Sequence, residues 1–167
     1  AAGVGEVADF GAVVGTTGKG NENLILYRAD RLELLGSEEL TGVAGGRNDA
    51  APLVARFRLD GRDEFLFVLV RLSHRENARA EQAARLAEWG AAQTLPVVAA
   101  GTFAFEVPEG GTRGDEAMAA LTSRTGWEWV RPADAFATAC GNPRYVQDFV
   151  FAGGAARGWS GQADVTF

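Results

Sequence analysis

Phe65-Leu66-Phe67-Val68-Leu69-Val70 and Leu95-Pro96-Val97-Val98-Ala99-Ala100 are two apolar runs on either side of a polar, alanine-rich segment at residues 76–92. Runs of this length and composition are typical of buried strands. In the segment between them, alanines, Leu86 and Trp89 recur at helical spacing, with Arg and Glu on the opposite face. A strand, a helix and a second strand in this order form a crossover unit, which joins parallel strands. The sequence therefore predicts two parallel strands connected by a helix.

A further alternating run precedes this unit. Residues 53–59 and residues 64–70 are separated by Asp60-Gly61-Arg62-Asp63, and an Asp-Gly pair between two such runs indicates a β-hairpin. Because a hairpin is antiparallel and the crossover is parallel, the predicted sheet is mixed. The fold class that follows is α/β.

The rest of the chain shows weaker patterns. Residues 23–28 indicate a strand, Ala29-Asp30 a turn, and residues 31–35 a short strand that pairs with it. Residues 37–51 are polar and predict a loop. Gly15-Thr16-Thr17-Gly18-Lys19-Gly20 predicts a turn, because the Gly-Lys-Ser/Thr order of a phosphate-binding loop is missing. The remaining predicted elements are a helix at residues 115–125 and strands at residues 126–130, 146–152 and 163–167.

The composition favours one ordinary globular domain over residues 1–167. Hydrophobic residues make up 47% and charged residues 23% of the chain, and the formal net charge is −6. A negative balance argues against nucleic acid as a partner, since binding to its phosphates depends on Lys and Arg. The longest apolar runs are far below the roughly 18 residues that span a bilayer, so no membrane span is expected. Localisation stays open.

Several phrases, in this order, resemble the endonuclease/exonuclease/phosphatase superfamily of divalent-metal phosphoesterases. They are residues 22–28 (Glu-Asn-Leu-Ile-Leu-Tyr-Arg), 67–72, 79–89, 96–104 and 145–151. The resemblance implies a two-sheet sandwich of mixed β-sheets flanked by helices. It also implies that the domain is incomplete at both ends, because the upstream metal-binding region is largely missing and the terminal Ser-Asp-His phrase is absent.

The resemblance implies functional positions that this sequence has changed. Thr102 stands at the position of the family's Asp, Ala104 at that of its Asn, and Arg71 at that of the His in a His-Leu pair. Thr has no carboxylate, Ala has no hydrogen-bonding side-chain atom, and Arg stays cationic near neutral pH. Arg71 retains the ability to bind a phosphate. Each substitution removes a group that the family's chemistry uses.

Two acidic residues keep a family position by resemblance. Asp148 matches the central Asp of a late strand, whose partner in the family is the missing terminal His. Its alternative role is that of a buried strand carboxylate paired with an Arg. Glu6, in Gly5-Glu6-Val7, resembles the phrase that carries the metal-binding Glu, although the spacer to Phe10 is short.

Other candidates have plainer interpretations. His74, the only histidine, either replaces the lost imidazole by a shift of register or is a solvated loop residue, and we favour the latter. Trp127 and Trp129 favour core packing over a ligand face. The acidic residues around the glycine-rich loop match no calcium loop and predict solvated surface; they are Glu106, Glu109, Asp115 and Glu116.

The leading hypothesis is a catalytically degenerate protein of this fold with a binding or assembly role. It expects no cofactor, and it expects a protein partner or self-association to complete the sheet. The alternative is a divergent or fragmentary phosphodiesterase or nuclease, with a site rebuilt from His74, Asp148 and Glu6 around Mg²⁺ or Mn²⁺. A third possibility is a split protein whose missing groups come from another chain.

Overall fold

A computed structural model describes residues 9–20, 22–46, 48–122, 126–133, 137–138 and 144–163 of the chain. The helices and strands, in chain order, are β1 (Phe10–Val14), β2 (Leu24–Arg28), β3 (Leu32–Glu39), β4 (Leu53–Leu59), β5 (Asp63–Arg71), α1 (Glu76–Ala91), β6 (Val97–Pro108), α2 (Glu116–Thr122), β7 (Glu128–Trp129) and β8 (Tyr145–Gly153). Two 3₁₀ helices cover Thr41–Val43 and Gly154–Gly158.

The strands form two sheets. A six-stranded mixed sheet has the order β3-β4-β5-β6-β8-β7, and a two-stranded sheet contains β1 and β2. Only β5 and β6 are parallel among these described pairs. The predicted crossover through α1 is therefore confirmed, as is the mixed sheet of an α/β fold.

The β4–β5 hairpin is also confirmed. Asp60 and Gly61 have φ angles of 46° and 70°, the left-handed conformation that a tight Asp-Gly turn requires. The turn aligns Leu59 with Asp63. All apolar side chains that alternate along β5 are thereby set in register with those of β4.

The predicted pairing of residues 23–28 with residues 31–35 is wrong. β2 pairs with β1, and β3 pairs with β4 in the other sheet. The reason is packing: Tyr27 on β2 lies against Phe57 on β4, with ring centroids 4.9 Å apart. β2 therefore lies over the large sheet, where its apolar face is buried, instead of extending that sheet's edge.

The predicted loop at residues 37–51 begins too early. Ser37 and Glu38 continue β3 and pair with Ala55 and Val54. Their polarity suits an edge strand, whose outer side chains face water. β6 likewise continues well past residue 100, to Pro108. Residues 123–125 and 164–167, which belong to the predicted second helix and last strand, lie outside the described residues.

Each face of the large sheet has its own apolar core. One face packs against α1 and α2 through residues such as Val68, Leu86 and Phe103. The other packs against the β1–β2 sheet, with Val13 and Ile25 opposite Phe57. The result is a helical layer, a large sheet and a small sheet stacked in that order, which confirms a two-sheet sandwich with helices on one outer side.

The outward face of the β1–β2 sheet is apolar and exposed. Phe10, Val14, Leu24 and Leu26 are 63%, 63%, 49% and 66% exposed. We call these four residues the outer patch. None of the described helices has the length and apolar character needed to cross a membrane.

Candidate functional site

Three of the candidate residues lie side by side at one end of the large sheet. Arg71 at the end of β5 is in register with Thr102 of β6, and Thr102 is in register with Asp148 of β8. Neighbouring residues in register point to the same side of a sheet. Arg71, Thr102 and Asp148 therefore form one row, which we call the cross-strand row.

The backbone beside this row is irregular. Gly101 has a φ of 134°, and a Cβ there would lie 2.1 Å from the carbonyl oxygen of Val70. The pairing of β6 with β8 is interrupted between Thr102 and Val107. Within that bulge Ala104 and Glu106 have φ angles of 56° and 51°. Residues other than glycine rarely adopt this conformation, and Asn is among those that do so most readily. The bulge thus inserts extra β6 residues immediately after the row, before pairing with β8 resumes at Val107.

Thr102 and Asp148 are joined directly. The Thr102 hydroxyl donates a hydrogen bond of 2.6 Å to Oδ1 of Asp148. Asp148 is exposed, so of its two alternative roles the buried strand carboxylate is the one that the structure contradicts. A carboxylate that faces water at a strand end needs no counter-charge. The strand register places the hydroxyl of Thr102 beside it. Ala104, at 0% exposure, contributes no polar group to this surface.

His74 lies in the loop after β5, where it is exposed. A cleft of about 320 Å³ is lined by residues 48–50 and 71–75. It brings His74 together with Arg71 and Arg75, but neither Thr102 nor Asp148 is among its lining residues. Glu6 lies outside the described residues, so the structure brings two of the predicted site residues, Arg71 and His74, into this cleft.

A buried arginine, not predicted as a site residue, holds the loop that carries His74. Arg79 is 1% exposed, and its guanidinium donates to Oδ2 of Asp115 at 2.8 Å and to the His74 carbonyl at 2.9 Å. Gln82 is 1% exposed and accepts a hydrogen bond of 2.8 Å from the backbone N–H of Ser73. Both side chains therefore fix the backbone of the loop from beneath.

The solvated-surface expectation is wrong for Asp115, because its side chain is only 13% exposed and pairs with Arg79. Glu106 also reaches Arg79, at 3.3 Å, but is 46% exposed. The sequence signal for the burial of Arg79 was its spacing. Arg79 precedes Ala83 by four residues and Leu86 by seven, which is the spacing of a helix's buried face. Trp127 is 4% exposed in the main core, so core packing is confirmed there.

The glycine-rich turn at residues 15–20 binds a carboxylate of its own chain. The hydroxyls and backbone N–H groups of Thr16 and Thr17 all donate to Glu39, at 2.6–3.0 Å. Burial raises the pKa of Glu39, but these hydrogen bonds outweigh it and lower the pKa to about 2. The turn joins β1 to β2 and opens no helix. Its donors are thus engaged in tying the small sheet to β3.

The residues of the cross-strand row do not fit a divalent cation. Mg²⁺ prefers several oxygen ligands in near-octahedral geometry, and the row offers one carboxylate beside a guanidinium that repels a cation. Within the described ranges no three His, Cys, Asp or Glu side chains come together in a group that would hold a metal ion.

Comparison with solved structures identifies the architecture. A mannosyl-6-phosphatase from Bacteroides thetaiotaomicron superposes with a TM-score of 0.60 at 17% identity, over 87% of this chain and 63% of that one. An endonuclease/exonuclease/phosphatase family protein from the same organism has the same TM-score and identity, over 86% and 59% of the two chains. The chain has the endonuclease/exonuclease/phosphatase fold.

This endonuclease/exonuclease/phosphatase fold recurs in the human Nocturnin catalytic domain, solved with bound sulfate anion. It matches with a TM-score of 0.61 at 10% identity, over 86% of this chain and 60% of that domain. The resemblance read in the sequence is thus confirmed for the fold. The chain spans about three fifths of the length of these solved structures. No family model and no curated protein matches the sequence.

Proposed function

We propose that this chain is a protein of the phosphoesterase fold that no longer hydrolyses phosphoesters and acts by binding. The observation that carries the proposal is the cross-strand row, in which the hydroxyl of Thr102 donates to the carboxylate of Asp148. By the sequence resemblance, Thr102 and Arg71 stand where the family has an Asp and a His. The fold itself is that of phosphatases, such as the mannosyl-6-phosphatase with which it superposes.

The chemistry of the row supports loss of hydrolysis. A hydrolase of this kind needs a group that takes a proton from water and a cation that stabilises charge on the phosphoryl oxygens. Arg71 stays protonated and Thr102 has no basic atom. Asp148 is the one carboxylate of the row, and one of its oxygens already accepts a hydrogen bond from the Thr102 hydroxyl. Arg71 still supplies positive charge, which suffices for binding an anion but not for activating water.

The binding role extends to assembly. The outer patch exposes Phe10, Val14, Leu24 and Leu26 on one face of a two-stranded sheet. The sheet's outer strand edges are unpaired in the described structure, and a free edge beside an apolar face is a template for another chain. We propose that a protein partner or a second copy covers this face.

Hydrolysis of bis(p-nitrophenyl) phosphate, a generic phosphodiester, tests the loss of activity. The assay compares the protein with Mg²⁺, with Mn²⁺ and with a chelator, and uses Asp148→Ala as the matched variant. We expect no metal-dependent release of p-nitrophenol above the buffer rate in either protein.

Metal-dependent turnover that disappears in Asp148→Ala would overturn the proposal. That result would favour the alternative hydrolase, with a site rebuilt around Asp148, His74 and Glu6. Turnover that persists unchanged in the variant would instead indicate a contaminating enzyme, which a second purification step removes.

A further inference from the structure

Several arginines of this acidic protein are paired with carboxylates. The pairs in the described structure are Arg28 with Asp30, Arg31 with Asp60, Arg56 with Glu64, Arg58 with Glu33 and Glu64, Arg79 with Asp115 and Glu106, Arg85 with Glu81, and Arg144 with Glu109. Arg71 and Arg75 are among the arginines that have no such pair there. Both are exposed, and across the described ranges neither side chain forms an ion pair or a hydrogen bond. Both also line the same cleft.

The cleft adds further polar residues to these two guanidinium groups. Its lining includes Ser73, His74 and Asn48. Asp49 is the one carboxylate among its lining residues. This carboxylate lies near Gly45 and the buried side chain of Gln82. A Cβ added to Gly45 would be 2.9 Å from Oδ2 of Asp49 and 3.0 Å from Nε2 of Gln82. Two cations against one carboxylate leave the cleft positive in a protein whose net charge is −6.

The backbone that carries these donors is held in place. The Ser73 N–H donates to Gln82, and Arg79 donates to the His74 carbonyl, so two side chains that are each 1% exposed fix the loop. A site whose donors are fixed in advance loses less conformational entropy when a ligand binds.

The start of α1 contributes to the same electrostatic field. The helix begins directly after Arg75, which is its N-cap residue and forms no side-chain cap. The first backbone hydrogen bond of this helix runs from the Arg79 N–H to the Arg75 carbonyl, at 2.9 Å. The N–H groups of residues 76–78 have no partner within the helix and carry partial positive charge, although Glu76 in the first turn offsets part of it.

We propose that this cleft binds a phosphate-type oxyanion, with Arg71 and Arg75 as its principal ligands. Guanidinium groups match the oxygens of phosphate in forked pairs, and two unpaired arginines suit an anion that carries more than one negative charge. The volume of about 320 Å³ accommodates a small phosphomonoester. The inference deepens the proposed function and rests on it in one respect, that the bound anion is not turned over.

Isothermal titration calorimetry with inorganic phosphate tests the site in low-salt buffer with a chelator present. The test variant combines Arg71→Gln with Arg75→Gln, and both side chains are exposed and unpaired, so the fold should survive. The matched control is Arg62→Gln, an exposed arginine in the β4–β5 turn. We expect saturable binding to the wild type, weakened about tenfold or more in the double variant and unchanged in the control.

Equal phosphate affinity in the double variant and the wild type would overturn the inference, as would a wild type that shows no saturable binding. Sodium chloride at matched ionic strength must not reproduce the heat, since general screening would then explain it. The titration is independent of the hydrolysis assay. Turnover with intact phosphate binding refutes the loss of activity alone, and absent binding without turnover refutes the anion site alone.

Discussion

Arg79 is the residue on which the loop after β5 depends. It is buried, and it connects Asp115 at the start of α2 with the carbonyls of Ser73 and His74. Replacing it with Met removes the charge and keeps much of the volume. The carboxylate of Asp115, 13% exposed, would then lack its counter-charge.

We expect Arg79→Met to lower the free energy of unfolding by about 3–5 kcal/mol, because a buried carboxylate is left unpaired. Urea denaturation measures the change. Arg85→Met is the control on the same helix, since Arg85 and its partner Glu81 are 45% and 64% exposed. That substitution should cost about 1 kcal/mol or less. Equal costs for the two variants would contradict this role for Arg79.

Glu39 is expected to make stability depend on pH. Its pKa in the folded protein is about 2, against an ordinary value of 4.5, because Thr16 and Thr17 stabilise the carboxylate. A lowered pKa means that the unfolded chain binds the proton more tightly. The stabilisation is therefore complete above about pH 4.5 and is lost as the pH falls from 4.5 towards 2.

We expect Glu39→Gln to reduce stability near pH 7 by about 2 kcal/mol, from the loss of charge-assisted hydrogen bonds. The difference from the wild type should shrink progressively below pH 4.5. Unfolding by urea at a series of pH values checks both statements. A difference that stays constant down to pH 2 would show that Glu39 does not act through its charge.

At the scale of the element, β6 depends on a glycine. Gly101 has a φ of 134° and lies against the backbone of β5, where a Cβ would approach the Val70 oxygen to 2.1 Å. Backbone atoms on a central strand cannot withdraw without breaking the parallel pairing of β5 and β6. The cross-strand row begins at the next residue, so the same glycine positions Thr102.

We expect Gly101→Ala to lower stability by about 3 kcal/mol, from steric overlap and an unfavourable φ. Gly36→Ala on the edge strand β3 is the control, because nothing lies within 4 Å of a Cβ there. It should be neutral or slightly stabilising, since alanine has less freedom than glycine in the unfolded chain. Thermal unfolding monitored by circular dichroism compares the two, and similar midpoints would contradict the packing argument.

The elements that could be predicted are those whose signal is local. The Asp-Gly turn, the helical spacing of α1 and the apolar runs of β4 and β5 each carry their own pattern, and the structure confirms them. The pairing of β3 with β2 was predicted wrongly because it depends on which surface buries Tyr27 of β2. Burial of Tyr27 involves residues far away in the chain, so no local sequence pattern indicates it. Arg79 was not recognised as a buried ion-pair residue because a charged residue on a helix is usually solvated.

For the molecule as a whole, the outer patch is the surface at which we propose that the chain associates. Phe10, Val14, Leu24 and Leu26 form one exposed apolar face, which water solvates poorly. If a second copy covers it, the chain should associate as concentration rises. A heterologous partner would instead leave the isolated chain monomeric or prone to aggregate.

We expect Leu24→Lys combined with Leu26→Lys to abolish self-association, because it places two like charges on the patch. Light scattering after size-exclusion chromatography, over a range of concentrations, measures the mass. Ser37→Lys is the control, an exposed site on the edge of the large sheet. A mass that rises equally in the wild type and the double variant would exclude the outer patch as the interface.

The amino-acid order alone determined the α/β class, the mixed sheet and the crossover, because periodicity and turn chemistry act between residues that are close in the chain. Through the resemblance, it also predicts functional positions at Arg71, Thr102, Ala104 and Asp148. Their meeting in one row was settled by strand register, which depends on pairing between distant segments. The hydrogen bond from Thr102 to Asp148 and the cleft shared by Arg71 and Arg75 arise in the same way. Such contacts form only after the burial of apolar side chains has fixed how the two sheets pack.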